Sequence, residues 1–512
     1  MLSIAHVLAR ARAMFPDRLA VWDGETRITF SELGRRVDAL AGALRRLGLN
    51  KGDRVAILDG NSHRYLESYY AAAQTGIVLL PLNARLAPAE LVYILNDAGA
   101  RALLVSGAFF GAFEAARASL RTLEIVVAHG EGNRPTSAFE YEKLLADAEP
   151  LTQPVPVEPD DICQIYYTSG TTGEPKGVCL TYRNMTASML DAAVGLGLTF
   201  RDTWMHAAPL FHLVDAWAVW ALPLLGAPQV TMHFEPERLL ALIERTRSTA
   251  VALPPTLINM VVNHPKVGSY DVRTLRLIMF GGSPAPLGVL QQASQTLPTH
   301  YTHAYGITET SGICTLQRPE ETLTKAGSAG HTVPHIEAEV VDDDDRLLPL
   351  DTVGEVVIRG ERVMRDYWNK PEATAEALRD GWYHTGDMGY FDGERNLYIV
   401  DRKKDMIITG GENVYSVEVE SVLSTHPAVL EVAVIGVPSE QWGEAVKAVV
   451  VLRAGSAATE QELIAFCRDE IAGYKIPKSV DFSAEPLPKT STGKPAKRRL
   501  RDRYWEGRKS KI

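Results

Sequence analysis

Cysteine is scarce in this chain: Cys163, Cys179, Cys314 and Cys467 are the only four, with no C-x-x-C pair and no clustered histidines beside them. That excludes a disulfide scaffold and a structural zinc site and leaves reduced thiols. Positive charge is also short, with 53 Lys and Arg against 63 Asp and Glu and a formal net charge of −10. Phosphate-backbone binding needs a broad basic face, so nucleic acid is not expected as a partner, and any anionic ligand must meet local positive sites. Long apolar runs are missing as well. The most apolar segment, LVDAWAVWALPLLGA from Leu213, is broken by Asp215 and Pro223 and is too short to span a bilayer. No transmembrane segment is expected, although peripheral membrane contact stays open. The N-terminus places Ile4, Val7, Leu8 and Ala11 at helical spacing without a continuous apolar stretch before a small-residue cleavage site. It reads as an ordinary first helix rather than a targeting signal, and a cytoplasmic location is expected. The final Ser-Lys-Ile differs from the peroxisomal S-K-L in its last residue.

What is present is globular. Hydrophobic residues make up 46% and charged residues 23%, which excludes disorder, and 512 residues exceed one hydrophobic core. Leu33, Val37, Leu40, Leu44 and Leu47 recur at three and four before a stop at Gly48, and the buried-strand pattern RVAIL follows. IVLLPL at 77–82, a helical PAELVYILNDAG, ALLVS and EIVVAH continue the alternation. Strands alternating with helices predict parallel sheets covered on both faces. The Pro-rich EPLTQPVPVEPD reads as a connector. After Ala338 the texture changes to hairpin-like strands around the acidic run Asp342–Asp345, which reads as a solvated tip because no spaced glutamate completes a calcium loop. A last unit alternates helix, two strands and helix, so the expected fold is α/β, a large multi-sheet N-terminal domain with a small α+β C-terminal domain.

The stretch YYTSGTTGEPKGV at 166–178 asks for more than a turn. Gly170, Gly173 and Gly177 let backbone N–H groups approach a phosphate, Thr168, Ser169, Thr171 and Thr172 add hydroxyl donors, and Lys176 adds charge. It is not a Walker loop, because Pro175 and Gly177 flank the lysine where Gly and Ser or Thr would be required.

With this loop, AYGITET (304–310), YHTGD (383–387), DRKKDMIITGGENVYSVEVE (401–420) and PKTSTGKPAKRRL (488–500), the chain resembles the superfamily of adenylate-forming enzymes, over almost its whole length. Within it, GGENVYSVEVE followed by QWGEAVKAVVV looks most like bacterial fatty-acyl, aryl and chlorobenzoate CoA ligases. The resemblance implies an adenylation domain over 1–400, a hinge at 401–405 and a mobile C-terminal domain over 406–512 that carries the catalytic lysine. It implies ATP and CoA as co-substrates and Mg2+ as cofactor, and it leaves a homodimer open.

On this resemblance, Glu309 and Thr168 hold Mg2+, while Lys176 and the loop residues Ser169, Gly170, Thr171, Thr172 and Gly173 hold the distal phosphates. Tyr305 stacks on adenine beside Gly282 and Ser283, with Ala304, Gly306 and Thr308 lining the nucleotide, and Thr308 and Glu309 counted with the catalytic set. Asp387 accepts from the ribose, Arg402 donates to ribose or phosphate, and Lys494 bridges the carboxylate and the α-phosphate. Outside the motifs these are ordinary types: a lone glutamate is usually a solvated charge and a lysine in a basic tail is one of many.

For the second half-reaction the resemblance implies Lys404 as hinge, Gly410 and Gly411 along the pantetheine channel, and Trp442, Tyr474 and Lys475 at the CoA nucleotide; Ile476 stands where one related type has Arg. His212 and Trp217 fall at the acyl pocket. Ala252, Gly281, Gly306, Ser311 and Gly312 are small where bulk would close a tight aryl pocket, which predicts an extended acyl chain. The first expectation is therefore an AMP-forming synthetase for a medium- or long-chain fatty acid. An aryl or cinnamic-type acid is the alternative. Transfer to a carrier protein and a silent acyl-nucleotide sensor follow; the absence of a fused carrier domain weighs against the former, and retention of Glu309 and Lys494 against the latter.

Overall fold

The computed structural model describes residues 3–168, 174–282, 285, 287–410, 412–439, 441–468, 470–489 and 495–506. Local sequence signals fix most elements. The helix Phe30–Arg46 starts where the Thr29 hydroxyl accepts from the Glu32 N–H and the Glu32 carboxylate accepts from the Thr29 N–H, a reciprocal cap. Leu33, Val37, Leu40 and Leu44 face the core, and Gly48 stands at a φ of 85° just past the end. The first helix buries Val7, Leu8 and Ala11, as its spacing predicts. Leu213–Ala216 and Ala218–Leu225 form two short buried helices, the second containing Pro223.

Among the described residues the strands form sheets of eight, fourteen and five. In the eight-stranded sheet, Arg54–Leu58, Val78–Pro81, Ala102–Ser106, Ile125–His129 and Ile162–Thr168 are parallel neighbours, as the alternation predicts. Its far edge turns antiparallel, where Lys176–Thr181 pairs with Ile162–Thr168 and with the short strand Asp366–Tyr367. The fourteen-stranded sheet is mixed: Leu277–Gly281 runs parallel to His300–Ile307, which then folds back antiparallel on Gly312–Leu316. Gly354–Arg359, Trp382–Phe391 and Leu397–Arg402 extend it. The five-stranded sheet spans 407–482 and packs its own buried cluster of Ile407, Val414, Val419, Leu423 and Leu463. The expected α/β architecture is present.

The acidic tip is solvated, as expected: Asp343, Asp344 and Asp345 are exposed, and surface ion pairs of Asp343 with Lys403 at 2.9 Å and of Asp345 with Arg379 at 3.1 Å tie it to neighbouring strand ends. The proline-rich connector also packs, with Leu151 N–H donating to Asp38 and Val155 N–H to Gln74. All four cysteines are free and buried.

Candidate active site

Strand ends of both large sheets converge on one region. Thr168 and Lys176 face each other across the antiparallel pair that flanks the glycine-hydroxyl loop. The loop residues Ser169, Gly170, Thr171, Thr172 and Gly173 lie outside the described residues, as do Ser283, Gly411 and Lys494. The strand His300–Ile307 carries Ala304, Tyr305 and Gly306 and leads into the 3₁₀ turn Thr308–Thr310, which holds Glu309. Gly282, at a φ of 81°, follows the neighbouring strand, and a side chain there would meet nothing within 4 Å.

Asp387 and Arg402 sit opposite each other on paired strands, which puts Arg402 Nε 3.3 Å from Asp387 Oδ1. The Tyr305 hydroxyl donates to Asp387 Oδ2 at 2.7 Å. Asp387 is 5% exposed, so both of its carboxyl oxygens meet a protein donor in a nearly dry place. Burial and the neighbouring Asp387 carboxylate push the Tyr305 phenol well above its ordinary value, keeping it a neutral donor. Arg402 loses hydration too, but Asp387, Asp405, Tyr305 and Glu309 together outweigh that loss and raise its pKa.

Glu309 is held twice. Its carbonyl accepts from Met364 N–H at 2.7 Å and its Oε1 from the Tyr367 hydroxyl at 2.9 Å. Burial raises its pKa above the usual carboxylate value, opposed by its own backbone N–H, Tyr367 and Arg402. The one carboxylate and one hydroxyl that the resemblance gives to the cation, Glu309 and Thr168, would make an incomplete cage. It suits Mg2+, a cation bound through one or two carboxylates together with substrate phosphates and water. Among the described residues no cluster of three or more His, Cys, Asp or Glu offers a closed metal site.

Lys404, which the resemblance gives as hinge, lies in the turn after Leu397–Arg402; its carbonyl accepts from Arg501, and loss of hydration, then Arg402, lowers its pKa. Beside it, Lys403 N–H donates to Gly386, and its ammonium reaches Glu355 at 3.3 Å. Asp401 Oδ2 accepts from the N–H and hydroxyl of Ser416, and Lys497 donates to that same hydroxyl. Gly410, at a φ of 59°, donates its N–H to the Trp442 carbonyl, and a Cβ there would come within 2.9 Å of the indole. Trp442 and Tyr474 are exposed; Lys475 is engaged by Glu418 at 2.7 Å rather than presented as an isolated cation.

Several of the small residues given to the acyl pocket have a local backbone cause. A Cβ on Gly281 would lie 2.3 Å from the Ala304 carbonyl oxygen, and one on Gly306 would lie 1.9 Å from that of Gly312. Gly312 has a φ of 94°. Ser311 donates its hydroxyl to the Arg362 carbonyl. The three glycines are small because neighbouring backbone or a positive φ demands it, so their size does not by itself report an open channel. Ala252 is buried on the strand beside Leu277–Gly281. Trp217 is fully buried, edge-on to Trp204 at 4.9 Å, with Nε1 donating to Val214. His212 packs its ring on Phe211 at 4.7 Å, its buried Nε2 has no hydrogen-bond partner among the described residues, and burial, with Arg85 adding, depresses its pKa to about 4.

Sequence reasoning missed Tyr367, Met364, Arg362, Asp401 and Lys497. An aromatic pair inside the polar DYWNKPEAT was the available signal for Tyr367.

The family model described as AMP-binding enzyme matches residues 8–368, and the AMP-binding enzyme C-terminal domain matches 418–494. A feruloyl-CoA synthase of an Amycolatopsis species is 40% identical over 500 residues, covering 97% of each chain. A long-chain-fatty-acid–CoA ligase of Mycobacterium tuberculosis is 35% identical over 508 residues, covering 97% of this chain and 98% of that one. The solved o-succinylbenzoate CoA synthetase of Bacillus subtilis, in complex with its acyl-adenylate intermediate, superposes with a TM-score of 0.87 at 29% identity over 100% of both chains. With both regions matched and close relatives aligned end to end, the chain belongs to the AMP-binding family of adenylate-forming enzymes, as an AMP-dependent acyl-CoA synthetase.

Proposed function

We propose that the enzyme activates an aryl-alkenoic acid of the cinnamic type as an acyl-adenylate and then passes the acyl group to the thiol of CoA. The observation that carries the adenylation reading is the convergence of Tyr305, Glu309, Asp387, Arg402 and Lys176 from strands far apart in sequence. The substrate carboxylate is already ionised at neutral pH and needs no general base. It attacks the α-phosphorus, the bond to the bridging oxygen breaks, and pyrophosphate leaves with that electron pair. The difficulty is charge, because two anions must meet. In this reading Lys494 neutralises both reacting groups, Lys176 and the loop 169–173 hold the distal phosphates, and Asp387 and Arg402 orient the ribose. Glu309 and Thr168 would hold Mg2+, which when bound screens the phosphate oxygens.

The thiolate then attacks the acyl carbon and AMP departs, the thiol proton going to solvent. A lysine sealing the first site obstructs this approach. Residues 401–405 therefore serve as hinge and 406–512 as the turning domain, with Gly410 and Gly411 admitting the pantetheine arm and Trp442, Tyr474 and Lys475 toward the CoA nucleotide.

Two observations support the aromatic acid. Three of the small residues that suggested an extended chain, Gly281, Gly306 and Gly312, have backbone causes, and Trp217 and Trp220, on the helical segment after His212, are buried against Trp204, Tyr69 and Tyr70. The 40% identity to a feruloyl-CoA synthase, against 35% to the long-chain ligase, points the same way; the latter keeps a fatty acid as second reading. The test is acid-dependent ATP–pyrophosphate exchange over ferulate, cinnamate, octanoate and palmitate, followed by AMP release with and without CoA. Ferulate or cinnamate should exceed both fatty acids by about tenfold, or 1.4 kcal/mol. The reverse order refutes the acid class. Exchange with AMP release indifferent to CoA refutes free CoA as the acceptor.

A further inference from the structure

The segment 362–368 lies across both halves of the phosphate site. Arg365 N–H donates to the Cys179 carbonyl at 3.0 Å and Trp368 N–H to that of Gly177 at 2.7 Å, which makes Asp366–Tyr367 an extra edge strand on the lysine-bearing strand. On its other side the segment grips the Glu309 turn. Met364 N–H donates to the Glu309 carbonyl, Arg362 Nη2 to the Ser311 carbonyl at 3.0 Å, and the Ser311 hydroxyl returns a bond to Arg362. Arg362 is fully buried and braced by Asp191 at 3.2 Å.

Tyr367 stands where these two grips meet. It faces Val178 in register, so its side chain shares a face with Lys176 two residues away. The Lys176 ammonium accordingly lies 5.0 Å from the Tyr367 ring centroid, within cation–π range, while the hydroxyl at the far end of the ring donates to Glu309 Oε1 at 2.9 Å. Tyr367 is 7% exposed, so both contacts are made away from bulk water. One rigid side chain thus touches the residue assigned to the distal phosphates and the residue assigned to the cation.

We propose that Tyr367 is a positioning residue that sets the distance and orientation between the Glu309 carboxylate and the Lys176 ammonium, so that a metal–triphosphate unit is recognised as one ligand. This rests on the reading of Glu309 and Lys176 given above. The hydroxyl acts on the cation side and the ring on the phosphate side, which makes the two roles separable by substitution.

The test is binding without turnover: calorimetric titration of a non-hydrolysable ATP analogue in EDTA and in excess MgCl2, with Mn2+ binding in the presence of the analogue followed by EPR. Wild type, Glu309→Gln, Tyr367→Phe and Tyr367→Leu are compared. Tyr367→Phe keeps the ring and should leave metal-free nucleotide affinity unchanged, while weakening Mn2+ binding and the Mg2+-dependent gain about tenfold, the size expected for one hydrogen bond to a charged group. Tyr367→Leu should in addition weaken metal-free binding. If Glu309→Gln weakens Mn2+ binding and Tyr367→Phe does not, the inference is overturned while the reading of Glu309 stands. If Glu309→Gln itself leaves Mn2+ binding intact, the reading of Glu309 fails and the inference with it. Equal loss with and without metal in Tyr367→Phe marks a merely structural tyrosine and also overturns the proposal.

Discussion

Replacing Lys497 with methionine tests the polar cluster beside the hinge. Lys497 Nζ lies 2.8 Å from Glu420 Oε1 and donates to the Ser416 hydroxyl at 2.6 Å, which in turn donates to Asp401 at 2.6 Å. The side chains of Lys497 and Glu420 are 15% and 19% exposed, so the pair is mostly but not wholly dry. Burial raises the Glu420 pKa and Lys497 opposes it; removing the ammonium leaves burial acting on both Glu420 and Asp401, whose pKa burial raises in the same way. Breaking a buried pair by deleting one partner costs roughly 3–5 kcal/mol, and the residual exposure favours the lower end, about 3 kcal/mol. Glu420→Gln should cost less, because the lysine keeps Asp401 nearby. Urea denaturation of Lys497→Met, Glu420→Gln and the double variant closes a thermodynamic cycle. The expected coupling exceeds about 1 kcal/mol; additivity within about 0.5 kcal/mol would refute the pairing argument.

Three further outcomes are expected. Gly306→Ala places a methyl 1.9 Å from the Gly312 carbonyl oxygen, so it must push apart the strands bearing Tyr305 and the Glu309 turn; lowered thermal stability together with lost nucleotide binding checks it. Glu142 is partly buried, which opposes its charge, but hydrogen bonds from Arg36 and Arg64 hold its pKa at about 2. Its folded value lies below the unfolded one, so its contribution is present above about pH 4.5 and lost as pH falls toward 2. With its side chain 42% exposed, Glu142→Gln should cost only about 1 kcal/mol at pH 7, a gap that closes in acid denaturation series. His212 has a folded pKa depressed by burial to about 4 from 6.5, so the folded state resists protonation and stability falls as pH drops from 6.5 toward 4. His212→Gln should flatten melting temperature against pH over that window.

Period and punctuation made much of the fold readable. Where capping, helical spacing and apolar runs agree, as at Thr29–Gly48 and RVAIL, the elements fall where expected. The mixed large sheet was less legible, because antiparallel returns such as Gly312–Leu316 carry no helix between strands to announce them. The site's charged residues came through motifs that put unusual residue types at turns and strand ends. Its support did not: Tyr367 and Arg362 act through contacts with residues more than fifty positions away, and no local pattern encodes such pairings. Pocket size was not legible from small residues, because glycine smallness has two causes, open space and close backbone, and only coordinates show that backbone crowds Gly306. The acidic run was legible as a solvated tip, but its surface pairs with Lys403 and Arg379 were not, since those partners lie far off in sequence.

In the proposed mechanism one positive charge serves the first half-reaction and leaves for the second. Lys494→Ala, assayed separately for acid-dependent ATP–pyrophosphate exchange and for thioester formation from purified acyl-adenylate and CoA, reads this directly. Exchange should fall by at least about a hundredfold, the loss of one preorganised charge at the transferring phosphoryl group, while thioester formation stays near the wild-type rate. Equal loss in both halves would contradict it.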